Sequence, residues 1–251
     1  MIKLENFLRS LGFDALQTAV WKQFIVAVID AVRSAGARLC EPAQWERFVQ
    51  KDGALSKAKP RSRKRAMNPP LPVEEGITAE LGFYLNQIVK AADETHALKL
   101  LQIHFETEAQ VNLPDRTGRS SKWIDLLAIS SVSTSAPEFV FEAKILGIDS
   151  DIENEYLHHE RGIGRFTDPI APYTTKKLGA MLTYVVVGET QRWTEAIQHK
   201  MVGPPPLAKL FHHVIIDGEP EPVFCSQLER KHRAEGDIAV FHFAMKIRKA
   251  A

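Results

Sequence analysis

Apolar residues recur at helical spacing through 14–36, where Leu16, Val20, Phe24, Val28 and Val32 share one stripe. Asp14 stands where an N-cap belongs, and Gly36 falls just past the expected end. The pattern predicts an amphipathic helix. A shorter helix should start at Pro42 and run through Trp45 and Phe48, since proline suits a first helical turn. Residues 1–52 therefore read as a small helical N-terminal segment. From 53 to 72 the periodicity stops, and ALSKAKPRSRKRAMNPPLP carries four prolines and six cations, the cations all between 57 and 65. This stretch predicts a linker. It reads equally as a phosphate-contacting loop and as a solvated connector.

Residues 73–251 form the main domain in this reading. A helix from residue 74 places Ile77, Leu81, Leu85 and Ile88 on its apolar stripe, with Glu80 flanking it. Strict alternation follows from 101 to 111: Leu101, Ile103, Phe105, Ala109 and Val111 on one side, Gln102, His104, Glu106, Glu108 and Gln110 on the other. That is a half-exposed strand. A polar turn at 112–122 leads into WIDLLAIS (123–130), and FVFEAKIL (139–146) makes a third strand. Residues 151–177 read as mostly helix and loop, and the nearly all-apolar AMLTYVVVG (180–188) as a central strand. A helix at 190–201 and strands at 211–217, 222–230 and 237–247 complete the chain. The expected class is α/β, a central mixed β-sheet flanked by helices.

Composition narrows this little. With 251 residues, 45% hydrophobic and 25% charged, the chain can bury a sizeable core, and its net charge of +1 requires any nucleic-acid surface to gather its cations locally. Cys40 and Cys225 form no C-x-x-C pair, which argues against a zinc knuckle or disulfide framework. The apolar FIVAVIDAV is short for a bilayer and interrupted by Asp30, and the first residues lack a signal-peptide core. A cytoplasmic protein without membrane contact is the expectation.

The chemistry concentrates in FVFEAKIL. Alternate side chains of a strand share a face, so Glu142 and Lys144 point one way while Phe141, Ala143 and Ile145 point the other. Buried charge is costly unless paired or metal-bound, so either a cleft with a metal site or a structural ion pair is implied. A third charge, Asp125, interrupts the apolar frame of Ile124, Leu126 and Leu127 on the preceding strand.

An acid on one strand and acid-x-Lys on the next resembles the PD-(D/E)xK nuclease superfamily, the restriction-endonuclease-like fold. Asp125, Glu142 and Lys144 match its signature positions, and Glu80 matches an acid that members often add from the helix before the first strand. The likeness spans roughly residues 74–190 in element order, and it departs from the pattern where Trp-Ile, without proline, precedes Asp125.

The resemblance implies a magnesium-dependent DNA endonuclease, with manganese as a substitute, of the kind that serves restriction or phage defence. Asp125, Glu142 and the Ala143 carbonyl would hold the ion, Lys144 would orient the attacking water, and Glu80 would hold a second ion or position the first. Arg165, Tyr173, Lys176 and Lys177 would contact the substrate backbone. A catalytically inactive DNA-binding or scaffold subunit of the same fold is the alternative. The N-terminal helices would join a partner subunit or a second copy.

Other candidates stay structural. The second acid-x-Lys triplet, Glu229-Arg230-Lys231, has no acid embedded in a neighbouring apolar strand and reads as a solvated edge. His158 and His159 beside Glu160 read as surface residues, because neighbours on a helix diverge by about 100°. His212 and His213 alternate faces on a strand, one expected exposed and one packed. Neither a G-x-S-x-G elbow nor a base paired with Cys225 is visible.

Overall fold

The computed structural model describes residues 1–55, 72–110, 123–132, 136–149, 151–170, 172–204, 206–230 and 236–247. The basic run at 57–65 and the turn at 112–122 lie outside them.

Among the described residues, eight strands make one mixed sheet: β1 (Ile2–Lys3), β2 (Ile103–Gln110), β3 (Trp123–Ser130), β4 (Glu138–Leu146), β5 (Leu178–Val185), β6 (Leu210–Ile215), β7 (Val223–Leu228) and β8 (Ile238–Lys246). Their order across the sheet is β1-β6-β7-β8-β5-β4-β3-β2. β2, β3 and β4 form an antiparallel meander, while β4, β5 and β8 run parallel. Every residue of β5 is buried, as its nearly all-apolar sequence requires of a strand covered on both faces.

Helices cover both faces. α1 (Leu4–Ser10), α2 (Ala15–Leu39), α3 (Pro42–Val49), α4 (Glu74–Ala91) and α5 (Ala97–Leu100) pack with the sheet face that carries Phe139, Phe141, Leu182, Phe241 and Phe243. The opposite face, with Val140, Met181 and Val240, is covered by α6 (Thr190–Val202), a π turn at Ile152–Tyr156 and a 3-10 turn at Ile163–Phe166.

α2 begins where the pattern predicts. Gln17 N–H donates to Asp14 Oδ1 at 2.8 Å and Asp14 N–H donates to Gln17 Oε1 at 3.1 Å, a reciprocal capping box. Gly36 is not past the end, because the helix continues to Leu39. A Cβ at Gly36 would lie 2.2 Å from Met245 Sδ, so the glycine admits β8 against the helix. Phe24, Ile25, Val28, Val32 and Leu39 are buried in the same core as the sheet residues, so segment 1–52 packs into the core of 73–251. By length and composition α2 would also span a membrane, and half of its most apolar stretch is buried inside the fold.

Between β4 and β5, where mostly helix and loop was expected, the helical elements among the described residues are only the π and 3-10 turns. The chain doubles back there: a Cβ at Gly162 would lie 2.1 Å from the Tyr156 carbonyl oxygen, too close for any side chain. β2 keeps its alternation, yet Glu108 adopts φ 51°. The register passes from Thr107↔Leu126 to Ala109↔Ile124, skipping Glu108 and Asp125.

Because α2 is core, Phe24→Ala should lower stability by about 3–5 kcal/mol, as expected for a fully buried phenylalanine. Denaturant unfolding followed by far-UV circular dichroism should show one cooperative transition shifted as a whole. A separate early transition with the main one unmoved would show the segment to be an independent unit.

Candidate active site

The site lies where β3 parts from β4. Their pairing runs from Ile129↔Glu138 to Leu126↔Phe141 and stops. β4 nevertheless stays paired with β5, Glu142 opposite Met181 and Lys144 opposite Thr183. The β4 amides that face the β3 side beyond the fork lack a strand partner, and carboxylates take its place. Ala143 N–H donates to Asp125 Oδ2 at 2.7 Å, and Ile145 N–H donates to Glu74 Oε2 at 2.9 Å.

Glu142 and Lys144 share one face, as alternation requires, and both are buried, at 2% and 7% exposure. The Lys144 ammonium lies 2.9 Å from Glu142 Oε1, 2.8 Å from Glu74 Oε1 and 2.5 Å from the Ala143 carbonyl oxygen. Burial works against its charge, but the carboxylates of Glu142, Glu74 and Asp125 outweigh burial and hold the ammonium above its ordinary value. Three carboxylates thus face one ammonium. Asp125 responds: desolvation first, then the neighbouring Glu142 charge, push its carboxyl up to about 7 against the pull of Lys144. Glu74 is raised as well, chiefly by desolvation. Glu142 Oε2 is buried without a hydrogen-bond partner.

Tyr173 closes the site from the loop before β5. Desolvation, then the charge of Glu142, pushes its phenol well above the ordinary value. Arg165 donates to the Tyr173 hydroxyl and stacks over its ring at 5.1 Å. The loop is held by Arg230, whose guanidinium donates to the carbonyls of Phe166, Thr174, Thr175 and Lys176 at 2.9–3.2 Å. So the second acid-x-Lys triplet divides. Glu229 pairs with half-exposed Lys209 at 3.3 Å, matching a solvated edge, but Arg230 is a buried organiser of the Tyr173 loop.

Two other expected site residues stand elsewhere. Glu80 pairs with Lys51, because six positions along a helix turn it about 240° from Glu74. Glu74 is the helix acid that reaches β4. Pattern reading missed it because acids in a first helical turn are ordinary partners of the helix dipole. Lys177 donates to the Leu11 carbonyl at 2.8 Å and sits 5.5 Å over the Phe13 ring, tying β5 to the N-terminal segment. It precedes Met181 by four residues, about 13 Å of extended chain from the level of Glu142. Lys176 gives its carbonyl to Arg230. His158 and His159 stack on one another at 4.7 Å, while His212 packs on Phe7 and His213 on Phe224.

Among the described residues, no group of three or more His, Cys, Asp or Glu is arranged to hold a metal ion. Asp125 and Glu142 form a two-carboxylate set beside the Ala143 carbonyl. That donor set suits a hard cation such as magnesium, which commonly takes one or two carboxylates and keeps several waters. The Glu142 oxygen has no hydrogen-bond partner, and burial, then the Glu142 charge, raises the neighbouring Asp125 carboxyl.

A carboxyl raised in the fold contributes stability that is complete below its unfolded value and lost as pH climbs through the folded one, here between about 4 and about 7. Glu74 acts in the same sense. Metal-free wild-type protein should therefore lose on the order of 2–4 kcal/mol relative to Asp125→Asn between pH 4 and 8. Denaturant titrations of both proteins across that range check this, and a constant difference would refute it. No family model, curated protein or solved structure matches the chain.

Proposed function

We propose that the chain is a magnesium-dependent phosphodiesterase that cleaves DNA, of the PD-(D/E)xK kind. The observation that carries this reading is the buried, unpartnered Glu142 oxygen beside Asp125, with the Lys144 ammonium 2.9 Å from the same carboxylate. The element order also supports it: α4, three antiparallel strands bearing Asp125 and then Glu142 and Lys144, and β5 parallel to the last. Among known members of that superfamily, restriction and phage defence are common settings, and they are the setting proposed here.

Asp125, Glu142 and the Ala143 carbonyl would hold the ion. Bound there, the ion would lower the pKa of a coordinated water and neutralise phosphate charge. Lys144 would orient the attacking water and offset charge that develops on the phosphoryl oxygens. Arg165, with Tyr173 fixing its guanidinium, would grip a backbone phosphate. Asp125 must be ionised to act as a ligand, so ion binding should strengthen as pH rises through about 7.

Incubation with plasmid and linear DNA should give cleavage in magnesium or manganese and none in chelator. Lys144→Ala should reduce it by at least about 100-fold, the usual worth of a positioned proton-transfer group. Chelator-resistant cleavage, or a fully active Lys144→Ala, would sink the assignment. DNA binding without cleavage in either metal would instead identify an inactive DNA-binding subunit.

A further inference from the structure

We infer that Lys144 is an internal cation that competes with the divalent ion for the Glu142–Ala143 pocket, and that Glu74 is the positioning residue that retains the displaced ammonium. This rests on the metal reading above. Two of the three acceptors around Lys144 Nζ, Glu142 Oε1 and the Ala143 carbonyl, belong to the proposed ligand set. The third, Glu74 Oε1 at 2.8 Å, does not. Glu74 is itself pinned, its other oxygen accepting the Ile145 amide at 2.9 Å. An ion that takes the carbonyl and the Glu142 carboxylate therefore leaves Lys144 one fixed anchor, from the first turn of α4.

The arrangement follows from the charge balance. Without an ion, three clustered carboxylates need a cation, and Lys144 supplies it by folding back onto the carbonyl that precedes it in the chain. With an ion bound, two positive centres would crowd the same atoms unless the ammonium has another carboxylate to hold it. Glu74 is placed to serve that need, and its bond to Ile145 keeps it from following Lys144 or entering the ligand set.

Manganese binding to the full chain without nucleic acid, read at pH 8 from the electron paramagnetic resonance of free Mn2+, tests the exchange. Lys144→Met should bind Mn2+ tighter than wild type by at least about tenfold, since a like charge leaves the pocket. Glu74→Gln should bind several-fold more weakly, because the ammonium then has only ligand atoms to hold. The double variant should recover the tight binding of Lys144→Met, which a Glu74 acting as metal ligand would not allow. Unchanged or weaker binding by Lys144→Met, or a double variant as weak as Glu74→Gln, overturns the exchange.

If Lys144→Met does not fold, nitrogen NMR of wild type during magnesium titration decides. Movement of the Lys144 ammonium signal with the Ile145 amide unmoved supports the exchange, and an unmoved ammonium signal overturns it. Absence of Mn2+ binding in every protein, Lys144→Met included, would instead fail the metal reading itself.

Discussion

The site depends on a backbone constraint before any charge is considered: a strand in the middle of a sheet cannot leave its amides unpaired. β4 keeps β5 on one side through Leu146 but loses β3 after Phe141. The amides of Ala143 and Ile145 then require acceptors, and Asp125 and Glu74 provide them. Two acids are thereby drawn to the flank of the strand that already carries Glu142. The carboxylate cluster follows from the fork. Glu108, with its left-handed backbone, stands opposite Asp125 where the β2–β3 ladder is also interrupted, so the distortion extends across three strands.

Charge then has to be reconciled with burial. The same sheet face shows the alternative solution two strands away, where Tyr156, His242 and Ser226 form a buried chain with hydrogen bonds of 2.6 and 2.8 Å to the two imidazole nitrogens. Burial holds His242 neutral, pushed down to about 3, so that network is satisfied without net charge. The Asp125–Glu142–Lys144 cluster keeps formal charges, an unpaired oxygen and a carboxyl near neutrality. A purely structural polar core has little reason to retain those features when a neutral, fully bonded one is built beside it.

The parts of this design legible in the sequence are those governed by a two-residue or 3.6-residue period. Alternation placed Glu142 with Lys144 and set both in a central strand, and the Asp14 cap and the Phe24, Val28 and Val32 part of the α2 stripe read correctly, whereas Leu16 at the start of that stripe is 75% exposed because the first turn of α2 lies beyond the core. What escaped depends on which element meets which. Glu74 and Glu80 are both acids on one helix beside one apolar stripe, and only the approach of α4 to the β3–β4 fork distinguishes them. Arg230 looked like surface because its four carbonyl partners belong to a loop some 55 residues earlier in the chain. Gly36 looked like a stop signal because contact with Met245 is invisible to helix periodicity.

The helix that carries Glu74 links the core to the site. Thr78 Oγ1 donates to the Glu74 carbonyl at 2.9 Å and lies 3.0 Å from the Tyr184 hydroxyl of β5. The first turn of α4 is thus tied to β5 through Thr78 and to β4 through Glu74, on either side of the strand register that sets Lys144. Farther along α4, Ile77, Leu81 and Leu85 share one core with Phe24 and Val28 of α2. A tightly packed core transmits displacement because it has no slack to absorb it. The distance between Glu74 and Lys144 is therefore governed by how α2 and α4 seat on the sheet, so the N-terminal helix bears on the geometry of the carboxylate cluster although none of its residues reaches it.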